Sequence, residues 1–151
     1  MPKGPFTFMS RPDIREAARG DAAGLAHLMK ELGYPVEPEA LWLRIERLAS
    51  PAHRTFIAEV NGHMAGFAGC SALSIYESDT PVCWIMALSV ASHFRRHGVG
   101  RELIAAVERW CGEMGLRDIR VHSGEGRHEA HAFYQACGFQ HAGSRFKKSL
   151  G

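Results

Sequence analysis

The chain has no stretch of apolar residues approaching the ~18 that a membrane span requires. Residues 1–10 hold no apolar core of signal-peptide length either. No membrane partner is expected, and the cytoplasm is the expected location. Charge of one sign is also scarce. Eighteen Lys and Arg against 16 Asp and Glu leave a formal net charge of +2. Nucleic-acid binders carry a strong basic patch, so nucleic acid is not an expected partner. Cysteine is sparse as well. Cys70, Cys83, Cys111 and Cys137 make no Cys-x-x-Cys pair and no Cys/His metal spacing. Each stands in an apolar context, which suits a reduced, buried thiol rather than a structural disulfide or a metal ligand. No repeat, linker or low-complexity stretch divides the chain.

What is present is an ordinary globular composition. The 151 residues are 46% apolar and 23% charged, the size and balance of one domain. A domain of this size buries roughly 70% of its unfolded surface and needs no staple to fold. One domain over 1–151 is expected, with 1–11 a flexible or edge segment.

Hydrophobic period then divides the chain. Ile14 to Ala17 reads as a short strand. Asp21 is placed to cap a helix through its carboxylate. Leu25, Leu28, Met29 and Leu32 recur at helical spacing, and Gly33 stops the run. A second helix starts near Pro38, with Leu41, Ile45 and Leu48 as its buried stripe. Thr55 to Val60 and His63 to Leu73 are strands joined by Asn61-Gly62, a strong two-residue hairpin signal. Val82 to Val90 is nearly continuous in apolar residues, as in a strand covered on both faces. Gly98 to Gly115 is the longest helix, with Leu103, Ile104, Val107, Cys111 and Met114 facing inward and Glu102, Arg109 and Glu113 outward. Ile119 to His122 is a strand. Residues 128–137 form a last helix with Ala130, Phe133, Tyr134 and Cys137 on one face. A closing hairpin is expected over 139–149. The order is β-α-α-β-β-β-α-β-α-β-β, an α/β class built on a mixed sheet.

The segment with the most chemistry is Arg95-Arg96-His97-Gly98-Val99-Gly100-Arg101. It lies between a buried strand and a long helix. The first N–H groups of a helix have no internal partner and carry the positive end of its dipole, so an anion there satisfies several donors. Gly98 and Gly100 let the backbone approach closely. Arg95, Arg96 and Arg101 add charge. On these residues alone, a tight turn with solvated arginines remains the other reading. The pattern is neither the GxGxxG of dinucleotide folds nor GxxxxGK[ST].

Arg95-x-x-Gly98-x-Gly100, following Leu88-Ser89-Val90, resembles the acetyl-CoA motif of the GCN5-related N-acetyltransferase (GNAT) superfamily. Ala130-His131-Ala132-Phe133-Tyr134-Gln135-Ala136-Cys137-Gly138-Phe139 is similar to that family's second signature, Ala-x-x-Phe-Tyr-x-x-x-Gly-Phe. The resemblance covers essentially 12–150. It implies acetyl transfer from acetyl-CoA to a primary amine within a ternary complex. It implies that Leu88, Ser89 and Val90 line the pantetheine, Leu88 and Val90 through their backbone. Residues Arg95, Arg96, His97, Gly98, Val99, Gly100 and Arg101 would hold the pyrophosphate. Arg127, Ala130, Phe133 and Tyr134 would border the cofactor. Arg127 stands where many relatives have asparagine; whether it touches the phosphates or caps the helix is open. A homodimer is the family's habit.

Acyl transfer needs a neutral amine, a polarised carbonyl and a protonated leaving thiolate. By resemblance, the Leu88 N–H polarises the carbonyl and Tyr134 donates to the thiolate. On helical spacing alone, Tyr134 reads first as a core residue with its hydroxyl at the edge. No carboxylate stands on Trp84-Ile85-Met86-Ala87, where some relatives carry a glutamate base. Glu77, Asp79, His122 and Ser123 are the nearest alternatives in sequence. A cysteine nucleophile, Cys83 or Cys137, is disfavoured. The acceptor region, by resemblance, comprises the first two helices and the loop before the fourth strand. There Tyr34, Trp42, Tyr76, Glu77 and Asp79 suit a small cationic amine, and Arg127 to His131 resembles relatives of aminoglycoside acetyltransferases. A protein N-acetyltransferase and a non-catalytic acyl-CoA-binding module are the alternatives.

Overall fold

A computed structural model describes residues 10–122, 128–143 and 145–151. These fall into two compact units, 1–120 and 121–151. The strands are β1 (Asp13–Glu16), β2 (His53–Val60), β3 (His63–Leu73), β4 (Val82–Val90) and β5 (Ile119–Val121). The helices are α1 (Ala22–Leu32), α2 (Pro38–Leu48), α3 (Val99–Met114) and α4 (His128–Ala136). One sheet runs in the order β1-β2-β3-β4-β5, and β1 to β4 pair antiparallel. No helix among the described residues is long and apolar enough to cross a membrane.

The β2–β3 hairpin turns where both turn residues accept positive φ, 51° at Asn61 and 80° at Gly62. Alternation along these strands then sorts the core. Ile57 and the opposite Phe67 face α1 and α2, in a cluster with Leu25, Leu28, Leu41 and Trp42. Arg54 and Gly66 face the other side. There the Arg54 guanidinium lies 5.7 Å from the Trp110 ring of α3. A Cβ on Gly66 would fall 2.8 Å from the Ser89 carbonyl oxygen and 3.2 Å from Val99 and Leu103. This bare glycine backbone lets α3 settle onto the sheet with its first turn beside the end of β4.

Three helices close alike. Tyr34 N–H donates to Met29 O, Leu116 N–H to Cys111 O and Phe139 N–H to Tyr134 O, each after a glycine with positive φ. These bonds satisfy carbonyls that a helix end otherwise leaves bare.

Four details differ from the sequence expectations. Asp21 does not cap α1 through its side chain. A short 3-10 turn over Arg19–Asp21 gives Asp21 helical dihedrals, so its carboxylate reaches back to the Ala18 N–H and to two Arg15 nitrogens, all at 2.8 Å. Leu48 and Met114, at 38% and 41% exposure, leave their inner stripes because they end helices that outrun the packed layer. Trp42 and Trp110 take the buried positions instead. Met86 is 55% exposed, so β4 is not covered along its whole length. The described residues of 139–151 contain no strand. Phe146 and Leu150 are exposed and four residues apart, a spacing that does not specify a two-sided hairpin.

Two stability outcomes follow. Gly66→Ala should cost about 1–3 kcal/mol, as overpacking against backbone does. Gly69→Ala, where a Cβ meets nothing within 4 Å, should leave the melting temperature almost unchanged. Equal effects would contradict the packing described. Hydrogen bonds from Arg15, then from Ala18 N–H, hold the Asp21 carboxyl below its ordinary range against the opposing effect of burial. A depressed folded pKa contributes stability above the unfolded value of about 3.9, lost as pH falls through the folded one. Asp21→Asn should therefore lower the melting temperature at pH 7, and the gap should close on acidification. A gap unchanged by acid would contradict the ion pair.

Candidate active site

β4 forms one wall of the site, and its register is broken once. Gly69 pairs with Ala87 but Cys70 with Ile85, so Met86 is an extra residue. Backbone direction confirms the break. Cys83 N–H donates at 2.8 Å to Asp118 O, just before β5, whereas Ala91 N–H donates at 2.8 Å to Ala65 O of β3. These residues are an even number apart, and in a regular strand both N–H groups would point the same way. The bulge changes the parity. Counting back from Ala91, Ser89 turns its N–H to β3, and Leu88 and Val90 turn theirs to the opposite edge. The neighbour on that edge, β5, has three residues against nine in β4. Leu88 and Val90 thus present a short backbone edge, as a bulge beside a site commonly does.

The strand runs directly into an anion cradle. After a 3-10 turn at Ser92–Phe94, Arg95 is extended, Arg96 takes φ 66° and Gly98 takes φ 82°. Glu102 N–H makes the first helical bond, to Gly98 O at 3.1 Å, and no side chain caps α3. The N–H groups of Val99, Gly100 and Arg101 precede that bond at the positive end of a 16-residue helix. A left-handed residue followed by a glycine turn gathers N–H groups into a concavity that suits an anion. Space beside Gly98 is open. Arg95, Arg96, His97 and Arg101 are exposed around it. Arg95 also donates through Nε to Val90 O at 3.3 Å, which braces the loop against the strand.

Helix α1 steadies both parts. Ser89 Oγ donates to Leu28 O at 3.2 Å. The Glu31 carboxylate accepts from Ser92 N–H at 3.1 Å and from Ser92 Oγ at 3.3 Å. This link was not read from the sequence, because residues 61 positions apart give no local signal.

The second unit carries the Phe-Tyr helix. Ala130, Phe133, Tyr134 and Cys137 are half-buried on α4, and Ala132, Gln135 and Ala136 are exposed. The Tyr134 ring packs edge-on against Phe133 and Phe139, with centroids 5.4 and 5.6 Å away. Arg127 and Ser123 lie outside the described residues.

Of the residues singled out for the acceptor, Tyr34, Tyr76, Glu77 and Asp79 are exposed. Trp42, at 9% exposure, belongs to the hydrophobic cluster. His122 is exposed. Cys70, Cys83 and Cys111 are buried free thiols and Cys137 is half-buried. Hydrogen bonding to Cys70 and burial push the Cys83 thiol far up, and burial pushes Cys111 up to about 12. At neutral pH neither is a thiolate, the form a nucleophile requires. The sequence also concealed the bulge, though Gly69 inside an apolar strand is a recognised sign of one.

Residues 22–139 match the model of the Acetyltransferase (GNAT) family. The chain is 33% identical over 135 residues to an aminoglycoside N(6')-acetyltransferase type 1 of Stenotrophomonas maltophilia, covering 87% of this chain and 88% of that protein. It is 31% identical over 133 residues to the protein of the same name from Salmonella typhimurium (strain LT2), covering 85% and 91%. Among solved structures it resembles the aminoglycoside N-acetyltransferase AAC(6')-Iy bound to a bisubstrate analogue, CoA-S-monomethyl-acetylneamine. The TM-score is 0.81 at 27% identity, over 94% of this chain and 100% of that one.

Proposed function

The chain belongs to the Acetyltransferase (GNAT) family, and from that premise we propose that it moves an acetyl group from acetyl-CoA to an amine of an aminoglycoside-like polycation. The observation that carries the reading is the outward backbone edge at Leu88 and Val90 leading into the uncapped start of α3. A thioester on a pantetheine-diphosphate arm needs amide partners along its length and an anion cradle at its end, and β4 and α3 supply these in succession.

Acetyl-CoA brings the activated acyl group; this chain's residues orient and polarise it. The Val90 backbone and the Leu88 carbonyl hold the pantetheine amides. Val99, Gly100 and Arg101 donate N–H groups to the pyrophosphate, with Arg95, Arg96 and His97 adding charge. The Leu88 N–H points at the thioester carbonyl, where negative charge develops. Tyr134, on the Phe-Tyr helix with Ala130 and Phe133, donates a proton to the departing thiolate. By the family resemblance, Arg127 is a further candidate for the cofactor's phosphates.

The exposed Glu77 and Asp79 would attract a polycationic acceptor. Tyr34 and Tyr76 offer aromatic faces to its ammonium groups, and Trp42 anchors α2 in the hydrophobic cluster. The named activity of the relatives supports this acceptor class. We also assign 1–151 to one catalytic domain, working in the cytoplasm as a homodimer.

The test is thiol release from acetyl-CoA against a panel of aminoglycosides, polyamines and lysine peptides. Release with the aminoglycosides is expected. Acetyl-CoA should also raise the melting temperature, as a ligand of the native state must. Thermal stabilisation without thiol release on any amine would instead indicate a binding module, and release on peptides alone a protein acetyltransferase. Tyr134→Phe should lower kcat about tenfold or more while leaving the acetyl-CoA shift intact. An unchanged kcat would remove Tyr134 from its role.

A further inference from the structure

The reaction needs a proton acceptor, and β4 has no carboxylate to serve. Beside the β4 bulge, the structure holds a buried polar chain that the mechanism above leaves unused. His53 opens β2 and is 8% exposed. Its Nδ1 lies 2.6 Å from Ser71 Oγ on β3, and its Nε2 lies 3.2 Å from Thr55 Oγ1. Ser71 Oγ in turn lies 3.3 Å from Sδ of Met86, the bulged and half-exposed residue of β4. The chain therefore runs from the sheet interior to the surface at the bulge.

Its placement matches the site. His53, Thr55 and Ser71 share a sheet face with Ile57 and Phe67, the face that α1 and α2 cover. Those helices belong to the acceptor region. Ser71 lies opposite Trp84, and Gly69, two residues before it, lies opposite Ala87. The hydroxyl thus stands just beyond the bulge from Leu88, along β4 toward the acceptor loop.

We propose that Ser71 and His53 form a proton relay that takes the proton of the acceptor ammonium, Ser71 touching the amine and His53 receiving the charge. This rests on the acetyltransfer reading. Either tautomer of His53 is satisfied here. With Nδ1–H donating to Ser71, Nε2 accepts from Thr55; with Nε2–H donating to Thr55, Nδ1 accepts from Ser71. In the second arrangement a Ser71 lone pair faces the ammonium. The nitrogen gives its proton to Ser71 Oγ as the Ser71 proton passes to Nδ1, leaving a neutral amine and an imidazolium. The amine lone pair then forms the N–C bond and the carbonyl π pair moves to oxygen. On collapse the C–S bond breaks with its pair on sulfur. The second nitrogen proton leaves to solvent, the thiolate takes one from Tyr134, and the Tyr134 phenolate regains a proton from water. The imidazolium returns its proton to water through Ser71 after the product departs.

The surroundings suit an uncharged resting state. Burial, and then Arg54, hold the His53 imidazole below its ordinary pKa. Ser71 of β3 and Thr55 of β2 face it with neutral hydroxyls. Arg54 is itself held by the His53 and Ser50 carbonyls and pairs with Glu16 of β1 at 3.5 Å. The imidazole therefore rests without a proton at neutral pH, and the same burial and Arg54 charge make the imidazolium a transient state that returns its proton quickly.

The test compares two acceptors at pH 7: an aminoglycoside amine that arrives protonated, and an alkoxyamine that arrives neutral. Ser71→Ala and His53→Asn are assayed with both; Asn keeps a hydrogen-bonding group toward Ser71 but cannot take a proton. The relay predicts that kcat/KM falls about tenfold or more further for the protonated amine than for the neutral one. It also predicts that the variants' rates with the protonated amine recover as pH rises. Equal losses for both acceptors, or a pH profile unchanged from wild type, would overturn it. If His53→Asn fails to fold, Ser71→Ala decides, since it removes one oxygen from a half-buried position. Failure of the wild type to release thiol with any amine would be a different result: it defeats the acetyltransfer reading, and the relay with it.

Discussion

Met86 is one residue more than β4 needs to pair with β3, and the site depends on where that residue goes. With regular alternation, the outward N–H at Cys83 would be followed by outward groups at Ile85, Ala87 and Ser89. Ser89 could not then pair inward while its side chain ties down α1. The extra residue turns Ser89 back to β3 and leaves Leu88 and Val90 facing outward. A strand edge without partners is ordinarily a liability. Here the outward stretch is short, continues past a three-residue neighbour among the described residues, is braced at Val90 O by Arg95 Nε, and leads straight to the start of α3.

Packing on both sides of the sheet fixes that geometry. On one face, Gly66 brings α3 so close that its first turn lies beside the end of β4. On the other, α1 reaches across to Ser89 and Ser92 through Leu28 and Glu31. The anion cradle is therefore held by the strand, the long helix and α1 together. Donors fixed before a ligand arrives need no reorganisation when charge develops on it, and such preorganisation contributes most to an acyl-transfer site.

What could be read from the sequence was local. Asn61-Gly62, the Gly98–Gly115 helix and the α4 face of Phe133 and Tyr134 follow from turn chemistry and period within a few residues. The cradle was legible for the same reason, since strand, loop and helix start are contiguous. What was missed depends on register between distant segments. The parity change at Met86, the His53–Ser71 contact and the Glu31–Ser92 link each join residues that only the folded sheet aligns. Leu48 and Met114 carried the right period but sit where helices run past the core. The expected hairpin over 139–149 is absent among the described residues, and its own sequence gives no strand alternation. Asp21 is the reverse case: its side chain found Arg15, six residues back, a stronger partner than the helix it was expected to cap.

The central claim is that the bulge turns Leu88 and Val90 outward as partners for the pantetheine, in line with the α3 donors. Amide hydrogen exchange with and without coenzyme A tests it most directly. The Leu88, Val90, Val99, Gly100 and Arg101 amides should exchange fast in the free protein and slow strongly on binding, while Ser89, already paired to β3, should change little. Binding that raises the melting temperature but leaves the Leu88 and Val90 amides unprotected would contradict the account.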